Sequence, residues 1–462
     1  MSGEGAAGDL RVRTTAAVAD ARLRASLANA TDTFAERKAG ATGQLADWDG
    51  LRAAGRAVRT EVLADLLEIL GRFADNVLAA GGNVCWASTA DDANRYIADV
   101  VARRGATEVV KSKSMTTEEI GLNHVLEAGG TRVTETDLGE WIIQLARETP
   151  SHIIVPAIHR DRHQIAEVLS QVADGELAAV PEELAAFARV KLRERFLAAG
   201  VGISGANFGV ADTGSIVLVT NEGNGRLVTS VPPVHIAVIG MERVVRSWDQ
   251  LDLMISLLPR AATGQAITTY TSLITGPRQA GETDGPEELH VVILDNGRSA
   301  TLEGEFAEML ACIRCGACLN ACPVYRVVGG HAYGSVFSGP MGAVLTPLLL
   351  PSKQADELPQ ASSLCGACWE ACPVQIPLQD LLLAHRRRTA ADDTSLAERL
   401  AWRTWAAAWS KPRRYRTSIR AGRLGASLGF DHRGPFAMWS RTREAPSVSK
   451  RTFRDLWEAG EV

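Results

Sequence analysis

No apolar run in this chain of 462 residues approaches the roughly 18 residues that a membrane-spanning helix requires. The best candidate, Met341–Leu350 (MGAVLTPLLL), is too short and carries Pro347. The opening stretch MSGEGAAGDLRVRTT lacks the continuous apolar core of a secretory signal. These absences predict a cytoplasmic protein with no transmembrane segment, and leave peripheral docking at the inner face of a membrane open. A dominant charge is missing as well: net charge is −5, so nothing global points to nucleic acid. Cysteine is scarce, with eight residues, too few for a disulfide scaffold in so long a chain. Neither a flavin nor a nicotinamide fingerprint is present. What remains is a globular composition, 46% hydrophobic and 22% charged, long enough for two to four domains.

The few cysteines are not scattered. Cys85 stands alone, and the other seven lie between Cys312 and Cys372. The first group reads Cys312-x2-Cys315-x2-Cys318-x3-Cys322-Pro323. Such spacing lets one loop present three thiolates to one iron–sulfur cluster while the fourth, next to its proline, serves another. Soft thiolate donors are what iron–sulfide cores require. The second group reads Ser362-x2-Cys365-x2-Cys368-x3-Cys372-Pro373, with serine in the place of the first cysteine. The two-cluster rule therefore assigns Cys312, Cys315, Cys318 and Cys372 to one cluster, and Cys322, Cys365 and Cys368 to the other. The second cluster is left one cysteine short. It is a [3Fe–4S] centre, or a [4Fe–4S] centre completed by Ser362 or solvent, or it takes a ligand from elsewhere, Cys85 included. Gly316 and Gly366 let backbone amides approach the sulfurs. Zinc sites rarely show this spacing, so two clusters, [4Fe–4S] with [4Fe–4S] or [3Fe–4S], and a one-electron relay are the expectation.

Along the chain, residues 1–46 read as a loosely held helical arm. Val62, Leu63, Leu66, Leu67, Leu70 and Phe73 recur at helical spacing, and Gly81-Gly82 closes that helix. Between 84 and 295, short apolar β-branched runs (107–110, 153–155, 216–219, 235–239, 291–294) suit strands of a mostly parallel sheet buried on both faces. They alternate with helical patterns over 117–128 and 181–199, which predicts a layered α/β domain. The resulting division is an arm (1–46), an α/β domain (47–300), a helical two-cluster domain (301–392) and a basic, Trp-rich segment (393–462). That last segment holds Trp402, Trp405, Trp409, Trp439, Trp457 and the run Lys411-Pro412-Arg413-Arg414.

The segments KSKSMTTEEIGLNHVLEAGG (111–130), ETDLGEWIIQL (135–145), PSHIIVPAIH (150–159), GISGANFGVADTGSIVLVTNEGNGRLVTSVPPVHIAVIGMERVV (202–245) and ILDNGRS (293–299) resemble the lactate-utilisation (LUD) domain. With CIRCGACLNACPVY and SSLCGACWEACPVQIPL, the chain resembles the lactate utilisation protein B family. The resemblance is dense over about 47–390 and looser beyond. It implies a three-layer α/β fold similar to sugar-phosphate isomerases and CoA transferases, with ligand sites beyond strand ends. It further implies the iron–sulfur subunit of a three-protein system oxidising L-lactate to pyruvate. A second cysteine-rich redox subunit and a stand-alone LUD protein are then the expected partners. The family's second motif likewise carries three cysteines. Glycolate or another 2-hydroxy acid as donor, or a ligand- or redox-sensing role, are the competing readings.

Lys111, Lys113, Thr213, Ser215, Arg226 and Arg298 are the candidates for contact with an anionic substrate. Lys111 and Lys113 follow a predicted strand. Thr213 and Ser215 lie in a Gly-rich stretch able to offer amides to an anion. Arg226 and Arg298 follow other strand ends and offer two-point carboxylate contacts; for these lysines and arginines, solvated loop charges or fold-specific caps are the plainer reading. His159 and His163 read as a surface pair rather than metal ligands, Cys85 as a buried small side chain, and Arg386–Arg388 as a solvated helix end. The tryptophans at helical spacing suit a membrane surface, a partner, or an internal apolar face.

Overall fold

The structure, a computed structural model, describes residues 9–393, 395–427, 449 and 451–461. Trp439 and the first eight residues of the arm lie outside the described residues. The chain forms two compact units, Met1–Arg387 and Arg388–Val462.

In the first unit, Asp9 and Asp20 cap helices α1 (Leu10–Ala19) and α2 (Ala21–Gly43), their carboxylates accepting from Val12 N and Leu23 N. The expectation of a loosely held arm is corrected here. Leu27 is fully buried, Arg13 Nε donates to the Ala332 carbonyl at 3.0 Å, and Lys38 Nζ donates to that of Ala371 at 2.7 Å. These helices dock through spaced apolar residues (Leu10, Ala17, Leu23, Leu27 and Ala30) together with cationic side chains on backbone carbonyls. The helical pattern at 62–73 resolves into α3 (Trp48–Ala64) and α4 (Leu66–Ala79), which meet at Asp65. The buried face of α4 comprises Leu66, Ile69, Leu70, Phe73, Ala74 and Val77, the i, i+3, i+4 spacing of a helix against a core.

Six parallel strands form the central sheet in the order β1-β10-β7-β4-β2-β3: β1 (Asn83–Ala87), β2 (Glu108–Lys111), β3 (Arg132–Glu135), β4 (Val201–Gly205), β7 (Val234–Gly240) and β10 (Glu288–Leu294). Alternation along β7 sends Val234, Ile236 and Val238 into one apolar cluster and Ala237 and Ile239 into another. The first cluster includes Ala93, Ile97 and Val101 of the helix Ala90–Arg104, and the second the buried face of α4. Helices thus cover both faces in three layers, as expected for strands buried on both sides.

A second sheet, in the order β8-β5-β6-β9, comprises β5 (Phe208–Val210), β6 (Ser215–Thr220), β8 (Val244–Val245) and β9 (Tyr270–Ile274). The predicted strand at 216–219 belongs here, antiparallel to β5 and β9, and not to the parallel sheet. Residues 153–155 form no strand. Their backbone is spent on side chains: Ile154 N and Val155 N donate to His152 Nδ1, and the Ile154 carbonyl accepts from Lys113 Nζ. The helical pattern at 117–128 breaks into Met115–Glu119 and Leu122–Ala128, with Gly121 between them at φ +63°.

Residues 298–393 are helical and irregular, built from short helices and the long helix Leu378–Asp393. In the second unit, helices Leu396–Trp409, Pro412–Ser427 and Phe453–Glu458 are described.

Candidate iron–sulfur centres and the adjoining cavity

The two cysteine motifs fold as the same turn. After Cys312 the chain passes through Arg314 (φ +56°) and Gly316 (φ +76°) into the helix Ala317–Ala321, which ends at Cys322. After Ser362 it passes through Leu364 (φ +55°) and Gly366 (φ +86°) into Ala367–Ala371, which ends at Cys372. In the first turn Arg314 N donates to Cys312 Sγ at 3.4 Å; in the second, Leu364 N donates to Ser362 Oγ at 3.1 Å. Ser362 therefore occupies the place in its turn that Cys312 holds in the other. The cost of a left-handed arginine and leucine, about 1 kcal/mol or more each, is tolerated at both equivalent positions.

Cys312, Cys315, Cys318 and Cys372 line one small cavity of about 20 Å³. Three thiols of the first motif and the last of the second thus share one space. Cys322, Cys365 and Cys368 lie close enough to act electrostatically on one another. Burial pushes the thiols of Cys315 and Cys368 up to about 12 and raises Cys318, Cys322 and Cys372. Only Cys365, exposed and hydrogen-bonded by Ser363, moves the other way among these shifted thiols. Iron ligation requires thiolates, so assembly must expel protons that the buried sulfurs hold tightly.

Cations clamp the carbonyls of both turns. Arg52 Nε donates to Cys372 O and Arg52 Nη2 to Trp369 O, each at 3.0 Å. Arg243 Nη1 donates to Cys312 O at 2.7 Å, and Arg59 Nε to Ala311 O at 3.3 Å. Burial takes the guanidinium of Arg59 down to about 10 and that of Arg243 to about 9. Glu242 is the carboxylate acting on both guanidiniums, but it is shared with Arg298 and Arg314, so the buried positive charge calls for a further anion. An iron–sulfur core ligated by thiolates is such an anion, so both the sulfur donors and this surplus of cations fit one. Among the described residues no three His, Cys, Asp or Glu side chains converge on a single ion; a cluster of several irons is wider than that.

A second, larger cavity of about 350 Å³ lies outside the carboxyl ends of β2, β4, β7 and β10, where open α/β sheets hold ligands. Its wall includes Ser112, Lys113 and Ser114 after β2, Asn207 after β4, Glu242 and Arg243 after β7, and Arg298 after β10. Arg314 and Ile153 line both cavities, so the two are neighbours across one residue layer.

Of the six anion candidates, Lys113 and Arg298 reach this cavity; Lys111, Thr213, Ser215 and Arg226 are not in its wall. Lys111 is fully buried, with Nζ 2.6 Å from Glu118 Oε1 and 2.7 Å from Glu135 Oε1. Burial opposes its charge, but the two carboxylates outweigh that and raise its pKa. Thr213 Oγ1 pairs with Ser215 Oγ at 2.8 Å, and Ser215 Oγ also pairs with Thr275. The adjoining Gly214 lies against the backbone of α4, where a Cβ would come within 2.4 Å of Val77 N. Arg226 is exposed. Arg298, fully buried, grips Glu119 through both terminal nitrogens (2.9 and 2.7 Å) and Glu242 through Nε (2.7 Å).

His159 lies in a turn outside the helix Arg162–Ser170 and bonds Glu148 at 2.9 Å, while His163 is exposed, so the pair shares no helix face. Burial pushes Glu148 up, yet hydrogen bonds from His159 and Arg160 bring it down to about 2. Cys85 stands on β1 packed toward the Ala93–Val101 cluster, its thiol raised by burial. The reading of Arg386 as a solvated helix end is corrected: Nε and Nη2 donate to the carbonyls of Pro359 (2.9 Å) and Ser362 (2.7 Å). It therefore helps to hold the Ser362 turn. In the second unit, Trp402 meets Trp405 edge to face (centroids 5.8 Å) and Trp405 stacks on Trp409 (5.2 Å). Sequence reasoning missed Lys38, Arg52, Arg59, Arg243, Ser112 and Arg314. Only Arg314, inside the cysteine motif, carried a positional signal.

Three family models match the chain: LUD domain over residues 70–294, 4Fe-4S dicluster domain over 308–376, and Lactate utilisation protein B, C-terminal, over 385–462. The chain is 45% identical over 460 residues to "Uncharacterized electron transport protein YkgF" of Escherichia coli, covering 97% of this chain and 96% of that protein. It is 46% identical over 442 residues to "Lactate utilization protein B" of Bacillus subtilis, covering 94% and 92%. To the protein of that name from Lysinibacillus sphaericus it is 45% identical over 452 residues, covering 96% and 95%. A solved structure of a DUF162 family protein from Deinococcus radiodurans overlaps with a TM-score of 0.28 at 14% identity over 50% of this chain and 98% of its own, too little to bear on the fold.

Proposed function

This chain belongs to the lactate utilisation protein B family, and we propose that it is the iron–sulfur electron-transfer subunit of a lactate-oxidising system. Its bound clusters would supply one-electron relay between a two-electron donor and a downstream acceptor. Cys312, Cys315, Cys318 and Cys372 hold one cluster. Cys322, Cys365 and Cys368 hold the other, with Ser362 at the fourth place. The observation that carries this reading is the crossed set of thiols, Cys372 joining three cysteines of the other motif around one cavity. Lys38, Arg52, Arg59 and Arg243 fix the backbone of the two turns and hold positive charge against them. Cys365, exposed beside the exposed Trp369, gives the second site a face toward solvent suited to passing electrons outward. The partners are a second cysteine-rich redox subunit and a stand-alone LUD protein.

Anaerobic reconstitution with iron and sulfide, followed by iron counting and EPR before and after reduction, tests the proposal. Seven to eight irons per chain are expected, roughly three or four per site. Adding L-lactate together with the partner subunits should reduce the clusters, whereas L-lactate alone should not. Fewer than three irons per chain would refute the relay. Equal reduction by glycolate, with none by L-lactate, would move the function to a different 2-hydroxy acid.

A further inference from the structure

We infer that β9 is a docking edge for a second copy of this chain, the two β9 strands pairing antiparallel about Ser272 to join their sheets into one.

The two sheets end in four edge strands, β1, β3, β8 and β9, and side chains close two of these edges. At β3, Glu135 N donates to Gln144 Oε1 at 3.0 Å, and Gln144 Nε2 donates to Val133 O at 2.9 Å. At β8, Arg59 Nη1 donates to Val244 O at 2.9 Å. Unpaired strand edges invite other chains, and such blocking prevents it. β9 has no block. It pairs with β6 alone, and Val217 and Val219 of β6 turn toward β5: Asn207 N donates to Val217 O, and Val219 N to Asn207 Oδ1. Opposite them on β9 stand Leu273 and Thr271. Alternation in an antiparallel ladder therefore turns the amides and carbonyls of Leu273 and Thr271 away from β6. Among the described residues, no group bonds them there.

The side chains supply a second, independent sign. No charged residue stands between Arg260 and Arg278, and β9 carries neither the lysine nor the proline that commonly guards an edge. Ile267, Tyr270 and Leu273 are 80%, 38% and 52% exposed, and Thr269 and Thr271 are exposed between them. The remaining edge, β1, shows a single large exposed side chain, Trp86.

This chemistry selects a second copy as the occupant. With no charge in the strand, a two-fold axis sets no like charges opposite one another. Pairing centred on Ser272 sets Thr271 opposite Leu273 of the second copy, where each pair exchanges both backbone hydrogen bonds. Tyr270 then faces Ile274 of the second copy, an aromatic side chain on a β-branched one. Each strand is already ordered on its own β6, so pairing costs none of the entropy of ordering a loose segment. The exposed groups of 266–275 offer on the order of 500 Å² per copy, so a pair closes on the order of 1,000 Å², the lower bound of a specific interface. A reversible dimer follows. Arg59 closes the far edge of each sheet, at β8, so assembly along the sheet stops at two copies.

Sedimentation velocity of the anaerobically reconstituted full chain across the micromolar range should show monomer and dimer in equilibrium, with no larger species. Thr271→Pro removes an outward N–H without touching the β6 ladder, and Leu273→Lys sets two like charges beside the axis. Each should raise the dissociation constant tenfold or more, at wild-type iron content and melting temperature. Trp86→Ser, on the β1 edge, should leave it unchanged. In the wild type, hydrogen exchange of residues 270–274 should slow as concentration rises. That readout needs no variant, so it decides the matter even where a substitution misfolds. A monomer throughout overturns the inference, as does a dimer that survives both β9 substitutions, or one that Trp86→Ser breaks. Protection of 270–274 that appears only when a different subunit is added assigns the edge to that subunit and equally overturns pairing between copies.

Discussion

Replacing Lys38 by methionine keeps the apolar stem of the side chain and removes one positive charge from the vicinity of Cys315, Cys372 and Cys318. The Lys38 ammonium donates to Ala371 O at 2.7 Å, one residue before Cys372. Burial lowers its pKa, and the neighbouring thiolates act in the opposite direction. The side chain is thus close enough to sense charge on the first set of ligands. Reduction adds one negative charge there, which a fixed cation favours. If the added charge sits about 8 Å from the ammonium, an effective dielectric near 20 makes the interaction about 2 kcal/mol. One electron converts that to about 90 mV, and partial exposure of Lys38 reduces it to about 50 mV through screening. Lys38→Met should therefore lower the midpoint potential of the first cluster by about 50–90 mV and leave the second nearly unmoved. An EPR-monitored redox titration of the reconstituted protein measures both. An unchanged first potential at full iron content, or an equal shift in both, would refute the charge argument.

Ser362→Cys should complete the second ligand set, raising iron to about eight per chain and removing any oxidised-state [3Fe–4S] EPR signal; iron counting before and after air exposure checks it. Arg298→Met leaves Glu119 and Glu242 buried without their shared partner, which should cost about 3–5 kcal/mol in urea unfolding. His235, fully buried with Ser204 on its Nε2, is pushed down to about 3 from 6.5 by burial and then by His290. Its folded pKa lies below the unfolded one, so the unfolded state binds the proton first. The stability it contributes is present above pH 6.5 and lost as pH falls toward 3. Between pH 7.5 and 5.5 that loss is about 1.4 kcal/mol, so the wild type should lose that much more than His235→Gln. Matching pH slopes for the two chains would rule the assignment out.

The cysteine turns are legible in sequence because their ligands sit on short local loops, where spacing alone dictates which side chains can face one point. The β-branched runs are legible for a related reason: strands covered on both faces must be apolar throughout, and β7, buried along its whole length, reads that way. Residues 153–155 read equally apolar but are not a strand, because Lys113 and His152 take up backbone groups that a ladder would have used. Local composition cannot register that competition. The cavity was hidden for a further reason. Its wall joins segments near 112, 206, 242, 298 and 314, which only the sheet order brings together. Lys111 and Lys113 look equivalent in KSKS, yet the strand ends between them. Lys111, the last residue of β2, meets Glu118 and Glu135, whereas Lys113, beyond the strand, reaches the cavity and the Ile154 carbonyl. One step past a strand end thus separates a lysine sealed between two carboxylates from one that reaches the cavity wall beside Asp137, and that distinction exists only in three dimensions.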